Sequence, residues 1–133
     1  MGIVTAKKKK ILIVDDDPDI TLVLQSRLKN AGYDVIVAGS GQAGLEKFRS
    51  EKPDLIVLDV MIGDMTGYEV CASIKTELPD QPVIMLTSKI KIIDEHLGYA
   101  CRADAYIRKP HSGEFLLPEI EKQLKKPSVR GRQ

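Results

Sequence analysis

The stretch ILIVDDDPDI, from Ile11 to Ile20, sets four apolar residues directly before three aspartates and a proline. The apolar run is too short for a helix and is rich in β-branched residues, so it predicts a buried strand. Three adjacent carboxylates at the end of a strand repel one another. The arrangement therefore indicates that a positive group belongs at this point of the fold.

The residues after this strand predict a helix. Asp17 is a suitable N-cap, Pro18 suits the first helical position, and Gly32 is a suitable stop. For Asp17 we therefore favour a capping role over a role as a ligand. Between cap and stop, apolar residues recur on one helical face: Ile20, Val23, Leu24, Leu28 and Ala31.

The order of strand and helix recurs along the chain. Further strands are predicted at DVIVA, DLIVLD, PVIMLT and AYIRK, which cover residues 34–38, 54–59, 82–87 and 105–109. Helices are predicted at about residues 42–50, 67–77, 90–100 and 112–126. Strands that are apolar throughout and alternate with helices predict an α/β fold, a doubly wound parallel sheet of five strands with helices on both faces.

Length and composition are those of one soluble domain. The chain has 133 residues, 43% of them hydrophobic and 29% charged, which is ordinary for a globular protein. No apolar run approaches the roughly 20 residues of a membrane-spanning helix. Cys71 and Cys101 fall in predicted helices or their ends, and nothing resembling a secretory signal precedes them, so we expect reduced thiols and a cytoplasmic protein.

The formal net charge of +1 is unevenly distributed. Lys7 to Lys10 form one basic cluster, and Lys125, Lys126, Arg130 and Arg132 form another. The region between them is net acidic. A basic tail can bind nucleic acid or a membrane surface, but a solvated tail is the interpretation that we favour.

The polar residues at the carboxyl ends of the strands are the candidate site, because ligands of open parallel sheets bind there. Asp15 and Asp16 end the first strand, Asp59 the third, Thr87 the fourth and Lys109 the fifth. Three carboxylates that converge cannot all stay ionised without a cation. Oxygen ligands with no histidine or cysteine nearby favour Mg²⁺.

The other two residues extend this chemistry. The Thr87 hydroxyl and the Lys109 ammonium would bind an anion, and a carboxylate beside a metal could act as a nucleophile. Phosphoryl transfer to Asp59, which forms an acyl phosphate, fits this set because that reaction depends mostly on positioning and charge neutralisation.

Four motifs then resemble the receiver domain of two-component response regulators, the CheY-like family. They are VDD at 14–16, LD at 58–59, LT at 86–87 and YIRKP at 106–110. The resemblance implies a flavodoxin-like sheet with strand order 2-1-3-4-5. It places the receiver domain at residues 10–126, between a basic N-terminal extension at 1–9 and a basic C-terminal tail at 127–133.

The resemblance also implies roles for individual residues. Asp59 would be the phosphoacceptor, supplied by the phosphohistidine of a histidine kinase or by a small donor such as acetyl phosphate. Asp16 would ligate Mg²⁺ directly and Asp15 chiefly through water. The Met61 backbone carbonyl would complete the protein ligands.

The remaining implied roles concern the phosphoryl group and the switch. Thr87 would bond a phosphoryl oxygen and Lys109 would pair with it. Tyr106 would turn inward when Thr87 moves, which would alter the face made by the helix at 90–100, the fifth strand and the last helix. Lys109–Pro110 resembles the family's cis peptide.

Four positions depart from the family pattern, and one is His111, which stands where an aromatic residue often follows the Lys-Pro pair. Gly63 stands where a proline is common, and we expect it to loosen the loop that positions Met61. Arg102 stands where a small glycine is usual, and it is less suited to a left-handed helix cap. Pro118 lies within the last predicted helix and predicts a kink or a late start.

We therefore expect a single-domain response regulator rather than an enzyme, with self-phosphorylation and slow autodephosphorylation as its chemistry. Met61 offers no proton acceptor to orient water, which predicts a long-lived phosphoryl group. The expected partner is a histidine kinase or a phosphotransfer protein, followed by an unidentified protein target. We expect no DNA-binding domain and no membrane partner, and either a monomer or a phosphorylation-dependent dimer.

Two alternatives belong to other functional classes. A constitutive interaction module that keeps the receiver fold but no longer switches is suggested by Arg102 and Pro118. A haloacid-dehalogenase-like phosphatase would also use an aspartyl phosphate. That family requires a second aspartate two residues after the nucleophile, where this chain has Met61, so we exclude it.

Overall fold

The structure is a computed structural model, and it describes residues 8–87, 102–108 and 112–126. Its main strands are Lys10–Val14 (β1), Asp34–Ala38 (β2), Leu55–Asp59 (β3), Val83–Thr87 (β4) and Ala105–Arg108 (β5). Its helices are Pro18–Asn30 (α1), Gly41–Glu51 (α2), Gly67–Glu77 (α3) and Ser112–Lys125, which we call the C-terminal helix. A short hairpin pairs Met61–Ile62 with Met65–Thr66.

The five main strands form one parallel sheet in the order β2-β1-β3-β4-β5. The predicted α/β fold and its strand order are therefore confirmed. The first strand, β1, lies between β2 and β3. Adjacent carboxyl ends at β1 and β3 are where such sheets place their ligands.

Alternate residues of the central strands enter two separate cores. Leu12 and Val14 of β1 pack on the face covered by α2 and α3, whereas Ile11 and Ile13 pack on the opposite face. That opposite face is covered by α1 and by the C-terminal helix, which contributes Leu116. Because both faces of the sheet are buried, the strands are apolar at every position, which is why the sequence shows runs rather than alternation.

The first helix begins and ends as the sequence predicts. Asp17 is the N-cap, and its side chain accepts hydrogen bonds from the Asp19 and Ile20 amides. Pro18 is the first helical residue, where its missing N–H costs nothing. Gly32 follows the helix with φ of 98°, a conformation that a residue with a Cβ rarely adopts.

An ion pair with a buried lysine joins α3 to the amino ends of β4 and β5. The Lys75 ammonium, with a side chain 7% exposed, donates to Asp104 Oδ2 at 2.7 Å and to the Gln81 carbonyl at 2.6 Å. The same carboxylate oxygen accepts the Val83 amide at 2.8 Å. This network fixes the end of α3 to the starts of β4 and β5, where every charge has a hydrogen-bonded partner.

Some predicted features fall outside the described residues. They are the helix at 90–100, Cys101, Lys109 and the Lys109–Pro110 peptide. Cys71 is a buried, unoxidised cysteine in α3. Among the described residues, no helix is both long enough and apolar enough to cross a membrane.

Two positions that depart from the family pattern, Arg102 and Pro118, lie within the described residues. The C-terminal helix starts at Ser112 and continues through Pro118, so the late start is wrong. Arg102 does adopt the left-handed conformation, with φ of 60°, although it has a Cβ. Lys52, which ends α2, does the same with φ of 50°. The left-handed conformation costs a residue with a Cβ roughly 1–2 kcal/mol, and at Lys52 the amide donates to the Phe48 carbonyl at 3.3 Å.

Replacing Pro118 by alanine should stabilise the protein. The new amide could donate to the Glu114 carbonyl, and a residue with high helix propensity would replace the lowest, so we expect a gain of up to about 3 kcal/mol in unfolding free energy. Urea denaturation measures it, with Lys122→Ala on the same helix as the control for a surface alanine. A Pro118→Ala protein no more stable than wild type would contradict the expectation.

Candidate functional site

The parallel register brings three predicted carboxylates together. Val14 of β1 lies beside Leu58 of β3, so the next residue of each strand, Asp15 and Asp59, reaches the same edge of the sheet. Asp15, Asp16 and Asp59 each offer a carboxylate oxygen, and these oxygens all lie within 4.8 Å of one another. Asp15 is 2% exposed and Asp59 is 9% exposed, whereas Asp16 is open to solvent.

Local hydrogen bonds give the three consecutive aspartates different environments. The Asp15 amide donates to the Ala38 carbonyl at 3.1 Å, which continues the pairing of β1 with β2. The Asp15 carboxylate accepts the Asp17 amide at 3.0 Å. Asp17 itself turns to the start of α1 as its cap. The interpretation of Asp17 as a cap rather than a ligand is therefore confirmed.

The loop after Asp59 is bonded to the sheet and to its own acid. The Val60 amide donates to the Leu86 carbonyl of β4 at 3.0 Å, and the Met61 amide donates to Asp59 Oδ1 at 3.3 Å. Met61 then begins the short hairpin, and its side chain is 68% exposed. The residue predicted to offer its backbone carbonyl to the metal therefore lies directly beside the acid cluster.

The tip of this loop contacts two other elements, which the sequence did not predict. The Gly63 amide donates to Asp16 Oδ2 at 3.1 Å. The Asp64 carboxylate accepts the Gly41 amide at 2.7 Å and the Gln42 amide at 3.0 Å, at the start of α2. These two amides hold the pKa of Asp64 below its usual value, because they favour the ionised form. These contacts hold the loop tip in the structure, and the expectation that Gly63 loosens the loop stays a prediction.

The end of the loop packs tightly behind the candidate phosphoacceptor. Thr66 caps α3 and exchanges hydrogen bonds with Glu69 in a capping box, a signal that the T-x-x-E spacing contained. The Gly67 amide donates to the Val60 carbonyl at 2.7 Å. A Cβ on Gly67 would collide with the Asp59 carbonyl oxygen. Glycine at this position therefore lets α3 start directly against the backbone that carries Asp59.

The other predicted site residues are described only in part. Thr87 is the last residue of β4 and follows Leu86, which lies beside Asp59 in the register. Lys109 directly follows the end of β5 in sequence but is outside the described residues. Tyr106, in β5 beside Met85, is 37% exposed. The structure therefore brings the three acids together and leaves the anion-binding residues as predictions.

The acid cluster fits a magnesium ion. Its donors are carboxylate oxygens, and Mg²⁺ prefers one or two carboxylates with several waters retained. Two of the three acids are buried, where like charges so close are costly without a cation. The exposed side at Asp16 leaves access for the hydrated ion.

A family model for the response regulator receiver domain matches residues 11–121. The chain belongs to that family. A crystal structure of a CheY-like receiver domain protein from Methanospirillum hungatei JF-1 superposes with a TM-score of 0.84 at 33% identity, covering 89% of this chain and 94% of the other. Receiver domains accept the signal in two-component systems. Membership of this family therefore supports a role in phosphorylation-dependent signalling.

A second solved structure bears on the metal. The response regulator TrrA from Thermotoga maritima, in complex with Mg²⁺ and a beryllium fluoride, superposes with a TM-score of 0.80 at 32% identity, covering 86% of this chain and 98% of the other. Receiver domains generally bind Mg²⁺ at an acidic pocket, and the acid cluster occupies that place here.

The expected partner set is contradicted by a curated relative. The alkaline phosphatase synthesis transcriptional regulatory protein PhoP of Bacillus subtilis is 41% identical over 121 residues, which are 91% of this chain and 50% of the relative. The chain thus spans about half the length of the curated relatives it matches. A relative this similar is named as a transcriptional regulatory protein. The expectation of a protein target and no DNA-binding domain is therefore wrong, because it was drawn from the receiver sequence alone.

Gly67→Ala should destabilise the protein, because the new methyl group would press on backbone rather than on a flexible side chain. We expect a loss of about 1–3 kcal/mol in unfolding free energy, the usual cost of forcing an atom into a packed region. Urea denaturation measures this. Gly39→Ala is the control, since a Cβ there meets nothing within 4 Å. Equal stabilities for the two variants would contradict this expectation and would show that the Asp59 backbone shifts to make room for the methyl group.

Proposed function

We propose that Asp59 accepts a phosphoryl group from the phosphohistidine of a histidine kinase, or from a small donor such as acetyl phosphate. The observation that carries this proposal is the convergence of the Asp15, Asp16 and Asp59 carboxylates within 4.8 Å at the carboxyl edge of a receiver sheet. A cluster of three carboxylates at this edge suits a metal-assisted transfer of an anionic group.

The chemistry is a displacement at phosphorus. An Asp59 carboxylate oxygen attacks the phosphorus atom while the P–N bond of phosphohistidine breaks. The electron pair of that bond leaves with the imidazole nitrogen, and an acyl phosphate is formed. The Met61 amide bond to Asp59 Oδ1 at 3.3 Å helps to orient the carboxylate for this attack.

Asp15, Asp16, Asp59 and the Met61 backbone carbonyl are the ligands that we propose for Mg²⁺. When bound, the ion neutralises negative charge on the carboxylates and on the phosphoryl oxygens. The Thr87 hydroxyl and the Lys109 ammonium are proposed to bind those oxygens from the neighbouring strand ends. A shift of Tyr106 from its half-exposed position would then alter the surface at β5.

The proposal makes the protein a switch and not an enzyme that turns over an external substrate. Its chemistry is self-phosphorylation from a donor and slow loss of the phosphoryl group to water. By analogy with PhoP, named as a transcriptional regulatory protein, we propose transcription as the process that the switch controls. Arg102 takes the left-handed conformation and Pro118 lies within a continuous helix, so neither residue disrupts the described fold, and we favour the switch over a constitutive module.

Phosphorylation of Asp59 is testable with acetyl phosphate and Mg²⁺. Intact-protein mass spectrometry and Phos-tag migration should show one phosphoryl adduct in wild type, none in Asp59→Asn, and none in wild type with the metal chelated. The matched control is Asp34→Asn, which changes an exposed carboxylate at the amino end of β2. This variant should be phosphorylated like wild type. An equal adduct in Asp59→Asn would refute the assignment.

The lifetime of the phosphoryl group should depend on residue 61. The exposed Met61 side chain offers no acceptor for a hydrolytic water, so Met61→Asn should speed dephosphorylation by roughly tenfold, below the 100-fold or more of a well-placed general base. Met61→Leu, of similar size and equally unable to accept a proton, should match wild type. Decay of the purified phosphoprotein is followed by Phos-tag migration, and equal rates for Asn and Leu would contradict this role.

A further inference from the structure

The loop tip formed by Gly63 and Asp64 joins the metal site to a helix on the same side of the sheet. Gly63 donates its amide to Asp16 Oδ2 at 3.1 Å. Its neighbour Asp64 accepts two amides, from Gly41 and Gln42, at the start of α2. The hairpin behind this tip has only two residues in each strand, too short to fix the tip by itself. The contacts with Asp16 and α2 therefore hold it.

The bond to Asp16 depends on a feature of this chain. Gly63 stands where receivers commonly have proline, and proline has no amide hydrogen to donate. A receiver with proline at this position cannot make the bond. The backbone at Gly63 is not in the left-handed region, and a Cβ there would have Asp16 Oδ2 as its nearest atom at 3.4 Å, so a side chain is sterically tolerated. The amide, not the missing side chain, is what the bond requires.

Asp16 is the carboxylate that most needs such support. It is exposed, so packing does not fix its orientation as it does for Asp15. A single N–H bond to one oxygen uses part of the accepting capacity of a carboxylate and leaves positions for a metal ion. Hydrogen bonds of this kind fix the orientation of metal-binding carboxylates, and their loss typically weakens metal binding 10- to 100-fold.

We propose that the Gly63 amide, held in place by the Asp64 contact with α2, positions Asp16 for metal binding. Gly63 and Asp64 are positioning residues that act through Asp16 and do not touch the metal themselves. This inference rests on the proposed magnesium site. It adds that the affinity of the site depends on the loop tip and on α2.

Two substitutions at Gly63 separate the amide from the rest of the residue. Gly63→Pro removes the N–H, and Gly63→Ala keeps it. In the absence of any phosphodonor, calorimetric titration with Mg²⁺ should give a dissociation constant about tenfold weaker for Gly63→Pro than for Gly63→Ala, the lower end of the usual range for such bonds. Gly63→Ala should lie within about twofold of wild type. Equal or tighter binding by Gly63→Pro would overturn the inference.

Asp64 provides an independent test at a residue farther from the metal. Asp64→Ala should weaken Mg²⁺ binding several-fold, and Asp64→Asn less, because its carbonyl oxygen can still accept one α2 amide. If Asp64 acts through the Gly63 bond, adding Asp64→Ala to Gly63→Pro should cause little further loss. Fully additive losses, or an Asp64→Ala protein with wild-type affinity, would contradict the proposed route.

Two further measurements distinguish a positioning role of Gly63 from a general loss of stability. All variants are first unfolded in urea with metal chelated, and the comparison uses those whose fraction folded at the titration temperature matches wild type. In the metal-free protein, the Gly63 amide proton resonance should move on Asp16→Asn more than that of Gly39, which lies outside the loop. An unmoved Gly63 resonance would show that the bond is not formed in solution and would overturn the inference.

Asp16→Asn separates failure of this inference from failure of the metal site. If wild type and Asp16→Asn bind Mg²⁺ equally, the proposed function loses its metal ligand, and the positioning role falls with it. If Asp16→Asn binds weakly while Gly63→Pro and Gly63→Ala bind equally, the metal site stands and only the positioning role is wrong.

Discussion

The structure depends on the burial of two adjacent parallel strands, β1 and β3. Their eight apolar residues, Ile11 to Val14 and Leu55 to Leu58, are all fully buried. Burial of such side chains stabilises a fold by on the order of 10–20 kcal/mol in total, whereas each carboxylate pair within 4.8 Å costs about 3 kcal/mol at an effective dielectric of 20. Both faces are buried, so a slip of one residue would move each side chain from one close-packed core into the other, where the packing is different. Burial therefore fixes a register that brings the acids together against their repulsion.

The two edges of the sheet use charge in opposite ways. At the amino ends of the strands, Lys75 pairs with Asp104, and Lys10 pairs with Glu51 through its ammonium. Opposite charges meet there and tie helices to strands. At the carboxyl ends, like charges meet in the acid cluster. The ion pairs that join helices to strands thus lie away from the acid cluster, so repulsion within the cluster does not act on them.

The sequence predicted the features that local pattern determines. Apolar runs and helix caps predict strands and helices, and a parallel sheet then brings Asp15 and Asp59 to one edge. The contact of Asp64 with Gly41 joins residues 23 apart, and no local pattern encodes it. The late start expected from Pro118 is wrong because it weighed one residue's propensity alone, and the helix runs through that residue. Arg102 likewise adopts a conformation that its propensity disfavours. Tertiary context can outweigh a propensity cost of a few kcal/mol.

Glycine and proline at position 63 offer two different ways to order the same loop. Proline restricts the backbone and acts largely by lowering the entropy of the unfolded chain, without contacting the acids. Glycine gives up that restriction but keeps an amide, and here the amide reaches Asp16. The order that proline would supply comes instead from Asp64, whose carboxylate is ionised above a lowered pKa and bonds α2. In this chain the loop tip is therefore bonded both to α2 and to Asp16, so a continuous set of hydrogen bonds and covalent bonds connects α2 with the acid cluster.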